Sequence, residues 1–360
     1  MSGAARPRPS RRALRWSLFG MLIAVELVLV VPHLSFSSAA FTSLSWPLLA
    51  AAAGAEVVSL LAFSRMRRGL LRVGGTHIGA RRMGVLTLAS NAVSATAPAG
   101  TAVSAAYLYQ QLRRAGANAT VTVWTLVAGS IVSGLAFSVI TVAGTLLNGN
   151  LDLPEIIGAA GLSILAGVAM VAALAYVTAH PAPLLRAAEW SGRRLPDRWA
   201  GPDGRVVHAA AERVLAQLRV IRPRPRDWSL ALGLSILNWT ADLACFVLCC
   251  YAVGAHGLAL GAAALAYVAG LATIGITLTP GGLGSVEAGM LIGLAHGGVA
   301  GPVALAGVLA YRVIAYVFMG AVGWTAWASV RHAWRVRQAR AAAQGWPVDQ
   351  YGDELLSVTA

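Results

Sequence analysis

Residues 46–63, 120–147, 154–178, 228–253 and 302–329 are apolar for lengths close to or above what a helix needs to cross a bilayer. That need is about 20 residues. In hydrocarbon every backbone N–H and C=O must find its partner inside the protein, which confines such runs to helices. The 360 residues are 57% hydrophobic and 12% charged, with a mean hydropathy of +0.67. A soluble domain carries about 25% charged residues, so a soluble fold is excluded. One apolar region is unlike the others. Residues 258–279 run into Leu278-Thr279-Pro280-Gly281-Gly282-Leu283-Gly284-Ser285-Val286-Glu287, followed by a short apolar helix near 285–296. Proline removes a backbone donor and glycine loses the most entropy in a helix. Broken backbone at bilayer depth is tolerated where protein or a watery cavity surrounds it, so this stretch marks a site.

The formal charge is +14, and all 28 residues counted as lysine or arginine are arginine. They lie in segments between apolar spans, where orientation in the membrane accounts for them and nucleic-acid binding does not. Five fall in residues 1–15, six in 64–82, two at Arg113-Arg114, ten in 180–226, four after residue 330, and one, Arg312, within a span. Ser10-Arg11-Arg12 resembles a twin-arginine signal without the residues that should follow, and an uncleaved first span at 16–31 fits better. Segment 83–112 is interrupted by Asn91, Ser94, Thr96, Pro98, Gly100, Thr101 and Ser104. If it crosses once, the ten-arginine loop falls outside. If it enters and leaves on one side, 27 arginines are cytoplasmic and the external turns hold none, Asp152 and Glu155 lying in one of them. The positive-inside bias selects the second arrangement, and makes 258–296 a re-entrant pair entering from outside. Within 180–226, Val207, Ala211, Val214, Leu218 and Ile221 form an apolar stripe at helical spacing, expected on the inner membrane face or packed under the bundle.

Trp46 and Trp228, Pro98 and Pro280, Gly100 and Gly282, and Gly116 and Gly298 are each 182 residues apart. With the Trp46 span running inward and the Trp228 span outward, the halves read as inverted repeats, a plan that places binding between broken helices near the midplane. The expected fold is an all-α polytopic membrane protein with about six full spans plus two re-entrant helix pairs. Its parts are a basic cytoplasmic arm at 1–15 and a single transmembrane domain at 16–330. Within that domain, half-repeats near 46–180 and 228–329 are joined by cytoplasmic loop 180–226. A flexible cytoplasmic tail at 331–360 follows.

Pro280-Gly281-Gly282-Leu283-Gly284 with Glu287, followed by Tyr311-Arg312, resembles the transmembrane (flippase) region of lysylphosphatidylglycerol synthases. Asn91 to Gly116, with Pro98-Ala99-Gly100 and Leu112-Arg113-Arg114, is similar to that family's earlier block. The resemblance covers roughly residues 15–330 in layout. It implies translocation of lipid, or of another amphiphile, by a stand-alone membrane region. Two departures bear on mechanism. Thr101 stands where many members carry glutamate, against a paired-carboxylate mechanism there. About thirty residues follow the last span, so the aminoacyl-transferase domain of the bifunctional synthases is expected to be absent, and lipid aminoacylation with it.

The acids inside spans are Glu26, Glu56, Asp242 and Glu287. A charge at the bilayer centre costs about 2.5–3.5 kcal/mol on insertion scales, so each needs a partner or a function. Glu287 is expected to pair with Arg312, as a structural brace for the broken helix or as part of a substrate path. Gly281, Gly282 and Gly284 open a half-helix with Ser285 as its expected N-cap. The exposed N–H groups would receive an anion such as a lipid phosphate, with Glu287 the competing occupant and simple tight packing the plainer reading. Glu56 and Asp242 are either proton carriers, the polar lining of a headgroup cavity, or hydrogen-bonded structural carboxyls. Asn91 and Asn238 serve those carboxyls or the broken backbone, and Glu26 is structural. Cys245, Cys249 and Cys250 share one apolar segment and read as buried, inert thiols. Trp16, Trp46, Trp124, Trp228, Trp324 and Trp327 fit interfacial belts. His180, His208 and His296 show no ligand spacing, and neither a catalytic motif nor a metal or cofactor signature is present.

These residues predict a multi-pass protein of the inner (plasma) membrane, termini cytoplasmic. Its expected role is translocation of a phospholipid, polyprenyl-linked or similar anionic amphiphile between leaflets, without enzymatic activity. The substrate path would comprise Glu56, Asn91, Pro98, Gly100, Asp242, Pro280, Gly281, Gly282, Gly284, Glu287 and Arg312. The alternatives are a small-solute secondary transporter and a non-transporting partner subunit of an envelope enzyme. The membrane lipid is the expected partner, with a homo-oligomer or an envelope enzyme as further partners.

Overall fold

The computed structural model describes residues 44–97, 100–149, 161, 221, 223–273 and 280–343. Among these residues the secondary structure is entirely helical: α1 (Trp46–Val73), α2 (Ala80–Thr96), α3 (Gly100–Arg114), α4 (Ala119–Leu147), α5 (Pro225–Ala252), α6 (Leu260–Ala272), a 3₁₀ turn (Pro280–Gly282), α7 (Ser285–His296), α8 (Gly301–Arg312), a π-helical stretch (Val313–Phe318) and α9 (Met319–Ala343). Arm 1–15, span 16–31, span 154–178, most of loop 180–226 and residues 344–360 lie outside the described residues.

Among the described residues, four helical segments are long and apolar enough to cross a membrane: Trp46–Val73, Ala119–Leu147, Pro225–Ala252 and Gly301–Val336. The other two of the six expected spans are those outside the described residues. Proline at the first or second position starts α1, α5 and α8, where its missing N–H would have no intrahelical partner. Asn118 caps α4 by accepting from the Val121 N–H at 2.8 Å.

α1 and α5 form the most extensive helix pair. The Ser45 N–H donates to the Ala252 carbonyl at 3.0 Å, so the start of α1 meets the end of α5 and the two run antiparallel. Around this pair the packing crosses over. α2 lies on its neighbour α3 and on α9, while α6 lies on its neighbour α7 and on α4. Gly116 and Gly298, 182 residues apart, follow α3 and α7 and both have left-handed backbone, with φ of 87° and 76°. The largest buried cluster joins Phe246 of α5, Tyr267 of α6, Met290 of α7 and Tyr311 of α8. Outward-facing Val57, Leu61, Val139, Leu147, Leu230 and Ile292 are exposed, as on a surface solvated by lipid.

Two boundaries differ from the sequence expectation. The segment 64–82 is not wholly a loop, because α1 continues to Val73 and carries Arg65, Arg67, Arg68 and Arg72. Its inward positions stay apolar: Met66 and Leu70 pack with Trp124 and Ala128, and Leu71 with Met83, Leu108 and Leu112. The Arg68 Nε–H donates to the Ile78 carbonyl at 2.8 Å and pins the turn that follows. Likewise, the tail boundary at 331 falls inside a helix, since α9 runs to Ala343. The Arg331 guanidinium lies 5.0 Å from the Trp327 ring, and that of Arg114 lies 5.3 Å from Trp334, which fastens α9 to the end of α3. Trp124 is buried and meets the half-buried Trp228 edge-on at 6.4 Å, so the Trp124 ring faces the packed interior.

Candidate functional site

Each short helix pair bends where its sequence breaks the helix. α2 ends at Thr96 and α3 starts at Gly100, with Pro98 and Ala99 outside the described residues. In the second half the Pro280–Gly282 turn precedes α7, and residues 274–279 lie outside the description. Gly281 has φ 61° and Gly284 has φ 87°, left-handed values that cost any L side chain about 1–2 kcal/mol. This explains why glycine holds both positions. A Cβ on Gly281 would also sit 3.1 Å from the Ala95 carbonyl, because the turn lies against the last turn of α2. The two breaks are therefore neighbours in space.

Ser285 is not the cap of α7. Gly284 occupies that position, and the Gly284 N–H donates to Glu287 Oε2 at 2.7 Å. The Ser285 hydroxyl donates to the Gly282 carbonyl at 3.0 Å and accepts from Thr273 Oγ1 at 3.2 Å, which joins the end of α6 to the start of α7. Glu287 therefore fills the N-terminus of α7 itself, the place the sequence suggested for a substrate phosphate.

The other Glu287 oxygen accepts from Arg312 Nε, the expected ion pair. An Arg312 terminal nitrogen, Nη2, donates to the Gly281 carbonyl at 3.0 Å, and the guanidinium stacks on the Tyr316 ring at 4.0 Å. Arg312 is only 4% exposed, and its Nη1 has no hydrogen-bond partner among the described residues. A buried donor of this kind carries a desolvation cost until something accepts from it. The π-helical stretch begins immediately after Arg312, as such bulges often do at functional sites.

A cavity of about 200 Å³ lies at the meeting of the two breaks. Six of the eleven residues picked from the sequence line it: Glu56, Asn91, Gly100, Asp242, Gly281 and Gly282. Glu287 and Arg312 brace its wall, Gly284 caps α7 behind it, and Pro280 opens the turn. Asp242 accepts from the Tyr267 hydroxyl at 2.8 Å and from the Tyr311 hydroxyl at 3.0 Å. Glu56, from α1, lines the same cavity as Asp242. Asn238 does not serve a carboxyl: its amide bonds the Ser59 hydroxyl at 3.2 Å.

A second chamber of about 610 Å³ adjoins the first, sharing Asn91, Ser94, Thr101 and Tyr316 with it. Ser90, Ser104, Thr125, Ser130 and Ser133 add hydroxyls to its lining, and Arg67 contributes a cation. The Arg67 guanidinium lies 3.9 Å from the Phe63 ring, and its Nη1 has no hydrogen-bond partner among the described residues. Arg67, Tyr267 and Tyr316 were not singled out from the sequence. Arg67 was counted into a loop; its signal was its place one turn after Phe63 and beside Met66, in a run that stays helical. The two tyrosines look like ordinary core aromatics, and nothing in their spacing distinguishes them.

Crossing packing, membrane-length helices and paired breaks around one polar cavity define a multi-pass helical membrane protein. The profile of the lysylphosphatidylglycerol synthase TM region matches residues 17–323, and the chain belongs to that family. No curated protein matches the chain.

Proposed function

We propose that this protein translocates a phospholipid or another anionic amphiphile between leaflets, moving the headgroup through the two adjoining chambers. The observation that carries the reading is Arg312, a buried cation with one donor left over, held at the point where the two helix breaks meet. Arg67 supplies a second cation with a spare donor one chamber away, so an anion would pass between two fixed positive charges. The N-terminus of α3 at Gly100 adds its dipole to the first chamber, whereas that of α7 is occupied by Glu287. In this reading the two halves are inverted repeats and the broken pairs α2–α3 and α6–α7 are re-entrant. The arginine-rich segments and both termini face the cytoplasm. The crossing of α2 onto α9 and of α6 onto α4 supports that symmetry. In this reading the chain works as a passive or ion-coupled carrier.

The test is headgroup flipping of a fluorescent phosphatidylglycerol in proteoliposomes. Arg312→Ala should lower the rate tenfold or more, equivalent to about 1.4 kcal/mol of barrier. The double variant Glu287→Gln/Arg312→Gln, which leaves no buried charge behind, should be equally slow while eluting and melting as a folded protein. Full rate in both variants would overturn the role given to Arg312. Movement of a small soluble anion in place of the lipid would favour the solute-transporter reading.

A further inference from the structure

We propose that Glu56 and Asp242 form an exchangeable proton-binding site whose occupancy is linked to that of the anion cavity. The identity of the anion rests on the translocase reading above; the proton site does not.

The two carboxyls come from α1 and α5, the antiparallel pair at the centre of the molecule, and both line the first chamber. Each Asp242 oxygen accepts from one tyrosine hydroxyl, Tyr267 at 2.8 Å and Tyr311 at 3.0 Å, which orients that carboxylate as an acceptor. Glu56 lines the same chamber. Two ionised carboxylates sharing one small chamber repel, and that repulsion is relieved when one of them takes a proton. With both Asp242 oxygens already accepting, Glu56 is the member placed to hold it. Glu56 is 6% exposed and its Oε2 is buried without a hydrogen-bond partner among the described residues, a cost that persists until a ligand or proton arrives there.

Among the described residues, no free counter-charge lines the chamber. Facing the pair are Tyr267 from α6, Tyr311 from α8, Tyr316 from the π-helical stretch, and Cys245 and Cys249 from α5 itself. On α2, the chamber is lined by neutral Asn91 and Ser94. Arg312, on α8, is engaged by Glu287 of α7 and by the Gly281 carbonyl. An anion entering the chamber adds negative charge beside the pair and so favours the protonated form. By reciprocity, a proton on the pair favours anion entry. Proton uptake on one side and release on the other would then give the carrier a driving force.

Infrared difference spectroscopy on the reconstituted full chain reads the site without any transport. As pH is lowered, the wild type should gain a protonated-carboxyl C=O band that Glu56→Gln lacks and Asp242→Asn shifts. Its midpoint should lie higher in phosphatidylglycerol than in phosphatidylcholine at high salt, where lipid surface potential is screened. Absence of a Glu56-dependent band overturns the proton site, and a midpoint equal in both lipids overturns its linkage to an anionic lipid. In proteoliposomes an imposed pH difference should speed phosphatidylglycerol flipping severalfold in the wild type and leave Glu56→Gln unchanged. A Glu56→Gln variant that still answers to the gradient also overturns it. A wild type that moves no lipid would count against the translocase reading, while the infrared band would still decide the proton site.

Discussion

At the scale of single residues, the charges tell the clearest story. Glu287 and Arg312 stood out in the sequence because an ionised group at bilayer depth is costly, and the structure pairs them. Glu287 also caps α7, so one carboxylate satisfies both the guanidinium and the Gly284 N–H. Removing one partner leaves the other charge buried, which costs about 3–5 kcal/mol, whereas removing both can be close to neutral. Glu287→Gln and Arg312→Gln should each lower the unfolding stability in detergent by about that amount, and the double variant by clearly less. Additive losses would show that the two side chains act independently. The tyrosines around Asp242 were not legible, because a tyrosine in an apolar run has the same signature whether its hydroxyl points at a carboxyl or at water. Their role emerges only when α6 and α8 bring Tyr267 and Tyr311 to one acid.

At the scale of elements, the breaks were legible and the continuations were not. Proline and glycine announce a broken helix in the chain itself, so α2–α3 and α6–α7 could be read in advance. The π-helical stretch Val313–Phe318 contains neither residue, and Arg312 just before it stacks on Tyr316 within it. α1 and α9 run further than expected because arginines on a helix were counted as loop. Their inward faces remain apolar or aromatic through those stretches, which is enough to continue the helix. The α6–α7 pair depends on close backbone approach: any Cβ on Gly293 would overlap Ala266 of α6. Gly293→Val should therefore force the hairpin apart at a cost of about 1–3 kcal/mol. The expected outcome is a lower melting temperature and faster proteolysis between residues 260 and 296. An unchanged melting temperature would mean that the two helices are free to separate.

At the scale of the whole molecule, symmetry and cavity belong together. The long helices α1 and α5 pair antiparallel, each short pair reaches across to the long helix of the other half, and the two breaks meet. Of the residues 182 apart in the sequence, Gly116 and Gly298 follow α3 and α7 with the same left-handed backbone. What no sequence offset could reveal is that the chamber adjoins a larger one lined by hydroxyls and Arg67. In the proposed reading, Arg67 in the second chamber and Arg312 behind the wall of the first suit a headgroup that carries negative charge. The most direct measurement is a structure of the full chain determined in bilayer discs of phosphatidylglycerol. The account predicts lipid phosphate density beside Gly282, accepting from Arg312 Nη1, with the acyl chains leaving between helices toward the bilayer. A first chamber without lipid density, its walls sealed from the bilayer on every side, would contradict it.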